Sequence, residues 1–301
     1  MKVWIAAFAI CSLAGLVSAD DLEDSYARLK DAVAKKDVDA VKASAAETLK
    51  SARATQASAK PAEADEVENW KQRVEYSKEV EGYTEYALGI TASQPGVDPA
   101  KVVDLIDTLI AQNPKSKYLD DVAVNAYLIA LGKSGGAAKQ MAGMTKIIAG
   151  RPDNTVALQA LVEMSGATDR GLGYANKLVA AAKAKSKPEG TAEADWEKQK
   201  NGALAVGYYT AGLAYLQKQI WVDCDKDMKA AAPLLSGDSE RLATAYYALG
   251  VCNFNFGKMT NDRTKMQAGE KYSEQSAAMK SKVQDQAFKN VQAMKQALGG
   301  H

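Results

Sequence analysis

Apolar residues recur along most of the chain with the period of an α-helix. The stretch 98–114 shows this well, because its apolar residues share one helix face: Val102, Val103, Leu105, Ile106, Leu109 and Ile110. Asp98 followed by Pro99 is typical of a helix start, and Asn113 followed by Pro114 of a helix end. No stretch of the sequence alternates apolar and polar residues as a β-strand with hairpin turns does. The pattern therefore predicts an all-α chain of roughly a dozen helices joined by short loops.

Capping residues predict further helix boundaries. A helix over 118–132 would end at Gly132, and Ser134 would cap the helix that follows. Three later helix starts are predicted at Asn154, Thr168 and Thr191.

Some sequence features also recur at an interval much longer than a helical turn. The phrases YYTAG and YYALG place Gly212 and Gly250 38 residues apart. Four prolines each close a helical segment, at separations of 38, 36 and 45 residues: Pro114, Pro152, Pro188 and Pro233. Two helices per interval indicate stacked helix pairs, and each glycine is expected where two helices pack closely.

Residues 205–233 resemble a tetratricopeptide repeat. The positions that carry the resemblance are Tyr208, Gly212, Tyr215, Cys224, Met228 and Ala231. The next unit matches at Tyr246, Leu249, Gly250, Ala268 and Tyr272. It departs from the pattern at Asn253, which replaces an aromatic residue, and at 257–265, where extra residues stand between its helices. The resemblance implies an α-solenoid of stacked antiparallel helix hairpins.

The sequence divides into four predicted parts. A signal peptide over 1–19 precedes an N-terminal helix pair over 20–60, and Pro61 lies in the linker that follows. Loosely repeat-like helices occupy 61–190, and clearer repeats occupy 191–301. The last helix would cap the stack with one apolar face: Ala287, Phe288, Val291, Met294 and Leu298.

The first 19 residues are typical of a secretory signal. Lys2 precedes an apolar run, and the small residues at 17–19 suit cleavage before Asp20. Cys11 follows Ile10, where a lipid-attachment site needs a small residue. We therefore expect an exported protein, periplasmic or extracellular, without lipid and without an integral membrane segment after cleavage.

Charge and histidine content exclude several functions. The chain carries 38 basic and 37 acidic side chains, so a nucleic acid or an anionic membrane is not expected as the main partner. The one histidine is His301, at the end of the chain, so neither a histidine-dependent triad nor a zinc site is expected. Residues 223–227 space three carboxylates like a calcium loop, but Met228 and Leu234 replace its glycine and glutamate. We expect no metal and no cofactor.

The two cysteines beyond the predicted signal leave two interpretations open. Cys224 and Cys252 are buried free thiols, or they form a disulfide in an oxidising compartment.

The leading functional interpretation is a non-catalytic scaffold that binds a protein or peptide in a concave helical groove. In tetratricopeptide repeats one face of each first helix lines the groove, and the resemblance carries that face to Tyr209, Leu213, Leu216, Gln217, Thr244, Tyr247, Val251, Phe254 and Asn255. The binding candidates among them are Tyr209, Gln217, Tyr247, Phe254 and Asn255, while Tyr208 and Tyr246 are expected to be buried between helices. The competing interpretation of these tyrosines is plain packing. The alternative function is an envelope enzyme that acts on glycans through a pair of carboxylates in a cleft.

Overall fold

The computed structural model describes residues 19–299. Within that range every regular element is a helix, which confirms the all-α fold of consecutively packed helices. The helices are α1 (Ala19–Lys35), α2 (Val38–Gln56), α3 (Ala64–Ala92), α4 (Pro99–Gln112), α5 (Asp121–Gly150), α6 (Thr155–Ser165), α7 (Asp169–Ala184), α8 (Glu193–Gln217), α9 (Trp221–Ala231), α10 (Ser239–Thr260), α11 (Arg263–Ala277) and α12 (Gln284–Ala297), with a 3₁₀ turn at Ala232–Leu235. None of these helices is long and apolar enough to cross a membrane. The predicted signal peptide lies outside the described residues, apart from the start of α1.

The chain forms two compact units, the first ending at Tyr118 and the second beginning at Leu119. The boundaries expected after residues 60 and 190 remain predictions. In the first unit, α3 contacts α1, α2 and α4. Its core side chains are almost fully buried: Leu29, Val41, Val80, Leu88, Leu105, Ile106 and Leu109.

Tyrosines form a continuous row in the first unit. In order they are Tyr76, Tyr26, Tyr83, Tyr86 and Tyr118, with successive ring centroids 6.2, 5.2, 5.6 and 5.5 Å apart. Most neighbouring rings meet edge to face, the arrangement that aromatic quadrupoles favour. The row ties α1 and α3 together.

The second unit is a stack with two rows of helices. Each helix from α5 to α12 contacts the next, and α6–α8, α8–α10 and α10–α12 contact one another as well. The even-numbered helices thus form one row, and α7, α9 and α11 lie between them along the chain. The last helix, α12, packs on α11 and α10, where its buried residues are Ala287, Val291 and Met294. Phe288 was expected on the apolar face that covers the stack, but it is 56% exposed, so that part of the prediction is wrong.

Helix α5 folds back on itself at Gly136. Gly136 has φ 65°, a conformation that suits glycine. The Gln140 amide donates to the Leu128 carbonyl at 3.0 Å, a contact that a straight helix could not make over 12 residues. Two helices therefore meet here, as predicted, but the break lies at Gly136 and not at Gly132. Ser134 precedes the break and is not a cap, since its hydroxyl donates to the Leu131 carbonyl at 3.3 Å.

The predicted caps at Asp98, Asn154 and Thr168 are confirmed. Their side chains accept hydrogen bonds from the backbone N–H groups of Ala100, Ala157 and Gly171. Thr191 is not a cap, because α8 begins after Ala192 without a side-chain cap.

The recurring glycines lie at close helix crossings, as predicted. A Cβ atom added to Gly212 would lie 2.8 Å from Met228 Cγ on α9. On α10, a Cβ atom added to Gly250 would overlap the Ser273 hydroxyl and lie 3.1 Å from the Gly269 carbonyl of α11. A side chain at either position would push the helices apart.

The departures from the repeat pattern also have structural roles. Asn253 is buried, and its amide donates to Asp225 on α9 and to the Leu249 carbonyl at 2.9 Å. The extra residues at 257–265 mostly lengthen α10, which runs to Thr260, so only Asn261 and Asp262 connect it to α11. Most of the extra residues expected between the two helices are therefore helical.

Candidate binding groove along helix α8

Two cavities lie along one face of α8. Two sets of residues on this face are spaced three, four and seven apart: Trp196, Gln199, Lys200 and Ala203, then Val206, Tyr209, Thr210 and Leu213. They line two cavities between α8 and its neighbours. We call this surface, with the residues of α5, α6 and α10 that face the same cavities, the α8 groove.

The first cavity has a volume of about 360 Å³ and lies where α5, α6 and α8 meet. Val122 and Asn125 of α5 and Val156 and Gln159 of α6 face Trp196 across it. Trp196 is 6% exposed, so its ring forms the base, whereas Val122 is 64% exposed. An apolar base with amide groups around it is typical of a site that binds an organic side chain.

Lys185 closes one side of this cavity. Its ammonium group, just beyond the end of α7, pairs with the Asp121 carboxylate and donates to Thr155 Oγ1 at 3.1 Å. Both partners lie in the first turn of a helix, so one side chain holds the starts of α5 and α6 together. An adjoining cavity of about 470 Å³ shares Asp121, Val122, Lys185 and Gln199.

The second cavity has a volume of about 200 Å³ and lies further along α8. Tyr209 and Leu213 of α8, Glu163 of α6 and Arg241 of α10 line it. The Arg241 guanidinium carbon is 5.9 Å from the centroid of the Tyr209 ring. Burial raises the pKa of the Tyr209 hydroxyl, and its hydrogen bond with Thr244 partly offsets that effect.

The five predicted binding residues fall in different environments. Tyr209 lines the α8 groove, whereas Gln217 is exposed at the end of α8 and Tyr247 is half-buried on α10. The Asn255 amide donates to the Val251 carbonyl at 2.9 Å within its own helix. Phe254 is 9% exposed and packs against α11, so its assignment to the groove is corrected.

The expected contrast between neighbouring tyrosines is absent. Tyr208, Tyr209, Tyr246 and Tyr247 are all half-buried. Tyr246 stacks on Tyr272 with centroids 6.2 Å apart, but the Lys183 ammonium lies 5.3 Å from the Tyr208 ring at a surface cavity. Adjacent residues of a helix point in different directions, but in both tyrosine pairs each of the two side chains lies partly at the surface.

Cys224 and Cys252 form a disulfide between α9 and α10. Their Cα atoms are 6.3 Å apart, within the range that a disulfide requires. Both residues are fully buried in the core between α8, α9 and α10.

Carboxylates in the α8 groove are already engaged. Asp121 pairs with Lys185, and Glu163 accepts from the Gln159 amide at 3.3 Å. Among residues 19–299, no three His, Cys, Asp or Glu side chains gather as metal ligands would. Asp223 and Asp227 share a separate cavity, on another face of α8.

Sequence reasoning missed most of the groove. Val122 is 64% exposed, and the helical period of 118–132 does not distinguish it from a core residue. Trp196 follows the small and charged residues at 192–195, which give little sign that its ring forms the apolar base of a cavity.

No protein-family model, curated protein or solved structure that was compared with the chain matches it.

Proposed function

We propose that this chain is a non-catalytic binding protein that holds a peptide segment of a partner protein along the α8 groove. The observation that carries the proposal is the alignment of two cavities on one face of a single helix, one based on Trp196 and one on Tyr209. Aromatic side chains in partly covered pockets often dominate the energy of such interfaces.

The dimensions suit an extended peptide. Trp196 and Leu213 are 17 residues apart on α8, which corresponds to about 25 Å at 1.5 Å per residue. An extended chain covers that length with roughly seven or eight residues. Apolar side chains of the peptide would enter the cavity at Trp196, and the amides of Asn125, Gln159 and Gln199 would bond its backbone.

The proposal includes export to the cell envelope or beyond. Its support is the order of charge, apolar run and small residues over 1–19. N-terminal sequencing of native protein should give Asp20 as the first residue. Retention of Met1, or lipid on Cys11, would overturn this part.

Two exposed valines provide a matched test of the groove. Val122 is the second residue of α5 and lies in the groove, whereas Val222 is the second residue of α9 and lies outside it. They are 64% and 56% exposed. Val122→Asp and Val222→Asp each add a carboxylate to the first turn of a helix, where it is tolerated.

The binding experiment starts from peptides selected on the purified protein from a random library, with affinity measured by fluorescence anisotropy. Val122→Asp should weaken the selected peptides at least tenfold, and Val222→Asp should leave their affinity within about twofold. Equal affinities for both variants would show that the peptides bind elsewhere and would contradict the proposal.

A further inference from the structure

Asp227 on α9 is a largely buried residue whose carboxylate faces a cavity. The residue is 8% exposed, and no donor in residues 19–299 lies within hydrogen-bonding or ion-pairing distance of it. Asp225, two positions earlier, accepts from Asn253 and pairs with Lys229 at 2.8 Å. Asp225 therefore has hydrogen-bond and ion-pair partners, whereas Asp227 on the same helix has neither among the described residues.

The Asp227 side chain faces a cavity of about 170 Å³ between α7, α8 and α9. Tyr208 and Tyr215 of α8 line the cavity, and Asp223 lies one helical turn before Asp227. Side chains four apart on a helix are neighbours, with Cβ atoms about 5–6 Å apart. Both carboxylates therefore reach the same small space. We call it the α9 cavity.

Negative charge lies at the inner end of the α9 cavity and positive charge at its opening. The buried carboxylate of Asp227 is at the inner end, and the exposed Lys183 and Lys226 are at the opening. The Lys183 ammonium lies over the Tyr208 ring, 5.3 Å from its centroid, rather than on a carboxylate. Burial and the nearby Asp223 raise the pKa of Asp227, against the opposite effects of Lys226 and Lys183.

A buried carboxylate destabilises the fold unless a cation or donors satisfy it. The described residues supply no donor to Asp227, and its carboxylate borders the cavity, where water or the donors of a ligand can reach it. A positive group at the inner end would meet Asp227 and Asp223, and the tyrosine rings beside it also attract cations. An anionic group at the outer end would meet Lys183 and Lys226.

We propose that the α9 cavity binds a small ligand through a primary ammonium group held by Asp227 and Asp223. A free α-amino acid suits both ends of the site, since its carboxylate would face the lysines. Judged by the volume of about 30 Å³ that a water molecule occupies in the liquid, 170 Å³ holds about six non-hydrogen atoms, the size of alanine. The site lies on a different face of α8 from the α8 groove, so it stands independently of the proposed peptide binding.

Calorimetric titration of the full protein tests the site with four probes. The probes are L-alanine, methylammonium, putrescine and N-acetyl-L-alanine, the last of which lacks the ammonium group. L-alanine should bind the wild type, and N-acetyl-L-alanine should not. Tighter binding of L-alanine than of both amines assigns the site to amino acids, whereas equal or tighter binding of an amine assigns the ammonium site to simple amines.

Two aspartate variants give the matched control. Asp227→Asn removes the charge with little change of shape and should weaken binding of L-alanine at least tenfold. Asp225→Asn, on the same helix but outside the cavity, should stay within about threefold of the wild type. Asp223→Asn should weaken binding severalfold, and it serves as a second variant if either of the others fails to fold. Absence of binding by every ammonium probe, or undiminished binding by Asp227→Asn, would overturn the proposal.

Discussion

The Tyr209 ring on α8 lies beside the Arg241 guanidinium group on α10, with 5.9 Å between the ring centroid and the guanidinium carbon. The same ring packs against the core that contains the disulfide, and its hydroxyl is hydrogen-bonded to Thr244. Tyr209 therefore joins two helices of one row and also lines the α8 groove. The contributions of its ring and its hydroxyl to stability can be separated by substitution.

Tyr209→Phe keeps the ring and should lower the free energy of unfolding by about 1 kcal/mol or less, the usual net worth of one hydrogen bond. Tyr209→Ala should cost about 2 kcal/mol, below the 3–5 kcal/mol of a fully buried aromatic, because the ring is only half-buried. Urea unfolding measures both values. Equal losses for the two variants would mean that the ring contributes nothing beyond its hydroxyl.

Gly250→Ala should destabilise the protein by about 1–3 kcal/mol, because the new methyl group would collide with α11. Gly173→Ala on α7 is the control, since a Cβ atom there meets nothing within 4 Å. It should stabilise the protein by about 0.5–1 kcal/mol through the better helix propensity of alanine. Thermal unfolding of the two variants should therefore shift in opposite directions, and a shift in the same direction would contradict the close crossing.

Reduction of the Cys224–Cys252 disulfide should lower the free energy of unfolding by about 3–4 kcal/mol, since the bond closes a loop of 28 residues. The measurement compares urea unfolding with and without a thiol reductant. The double variant Cys224→Ala, Cys252→Ala should not respond to the reductant. Alkylation of both cysteines in native protein without prior reduction would show that the bond does not form there.

Asp227 should make the protein less stable as the pH rises. Because burial raises its pKa in the folded state, the folded protein holds this proton more firmly than the unfolded chain does. The wild type should thus lose stability relative to Asp227→Asn as the pH rises from about 4, the ordinary aspartate value, towards neutrality. At pH 7 and without amines, Asp227→Asn should be the more stable protein by about 1 kcal/mol.

Urea unfolding between pH 4 and pH 7.5 measures that difference. Asp225→Asn is the control and should be less stable than the wild type, since it gives up a carboxylate that is paired with Lys229. A wild type that gains stability over Asp227→Asn as the pH rises would contradict the description of Asp227 as unpartnered.

Local signals in the sequence predicted much of the fold. Asp98 and Asn154 cap helices because a side-chain oxygen next to a free N–H is a local feature. The period between Gly212 and Gly250 predicted close packing, because only a small residue allows two helix backbones to approach. Gly136 escaped notice, since several glycines stand near it and the sequence does not show which one carries the positive φ.

The site was harder to predict than the fold. Val122 and Val156 are 34 residues apart in the sequence and lie on different helices, so they line one cavity only once α5 and α6 have packed together. Phe254 has the same pattern position as a groove residue, but Gly269 lets α11 come close enough to bury it. The exposure of a side chain depends on how closely the neighbouring helices pack. The pattern of apolar residues within one helix does not show this.

Photo-cross-linking in cells of the source organism tests the central claim most directly. A photoreactive phenylalanine analogue is placed at the exposed Gln199, in the α8 groove, or at the exposed Val222, outside it. We expect a discrete cross-linked partner from position 199, none from position 222, and loss of the product when Val122→Asp is added. Equal cross-linking from both positions, or a product from position 222 alone, would contradict a partner bound along α8.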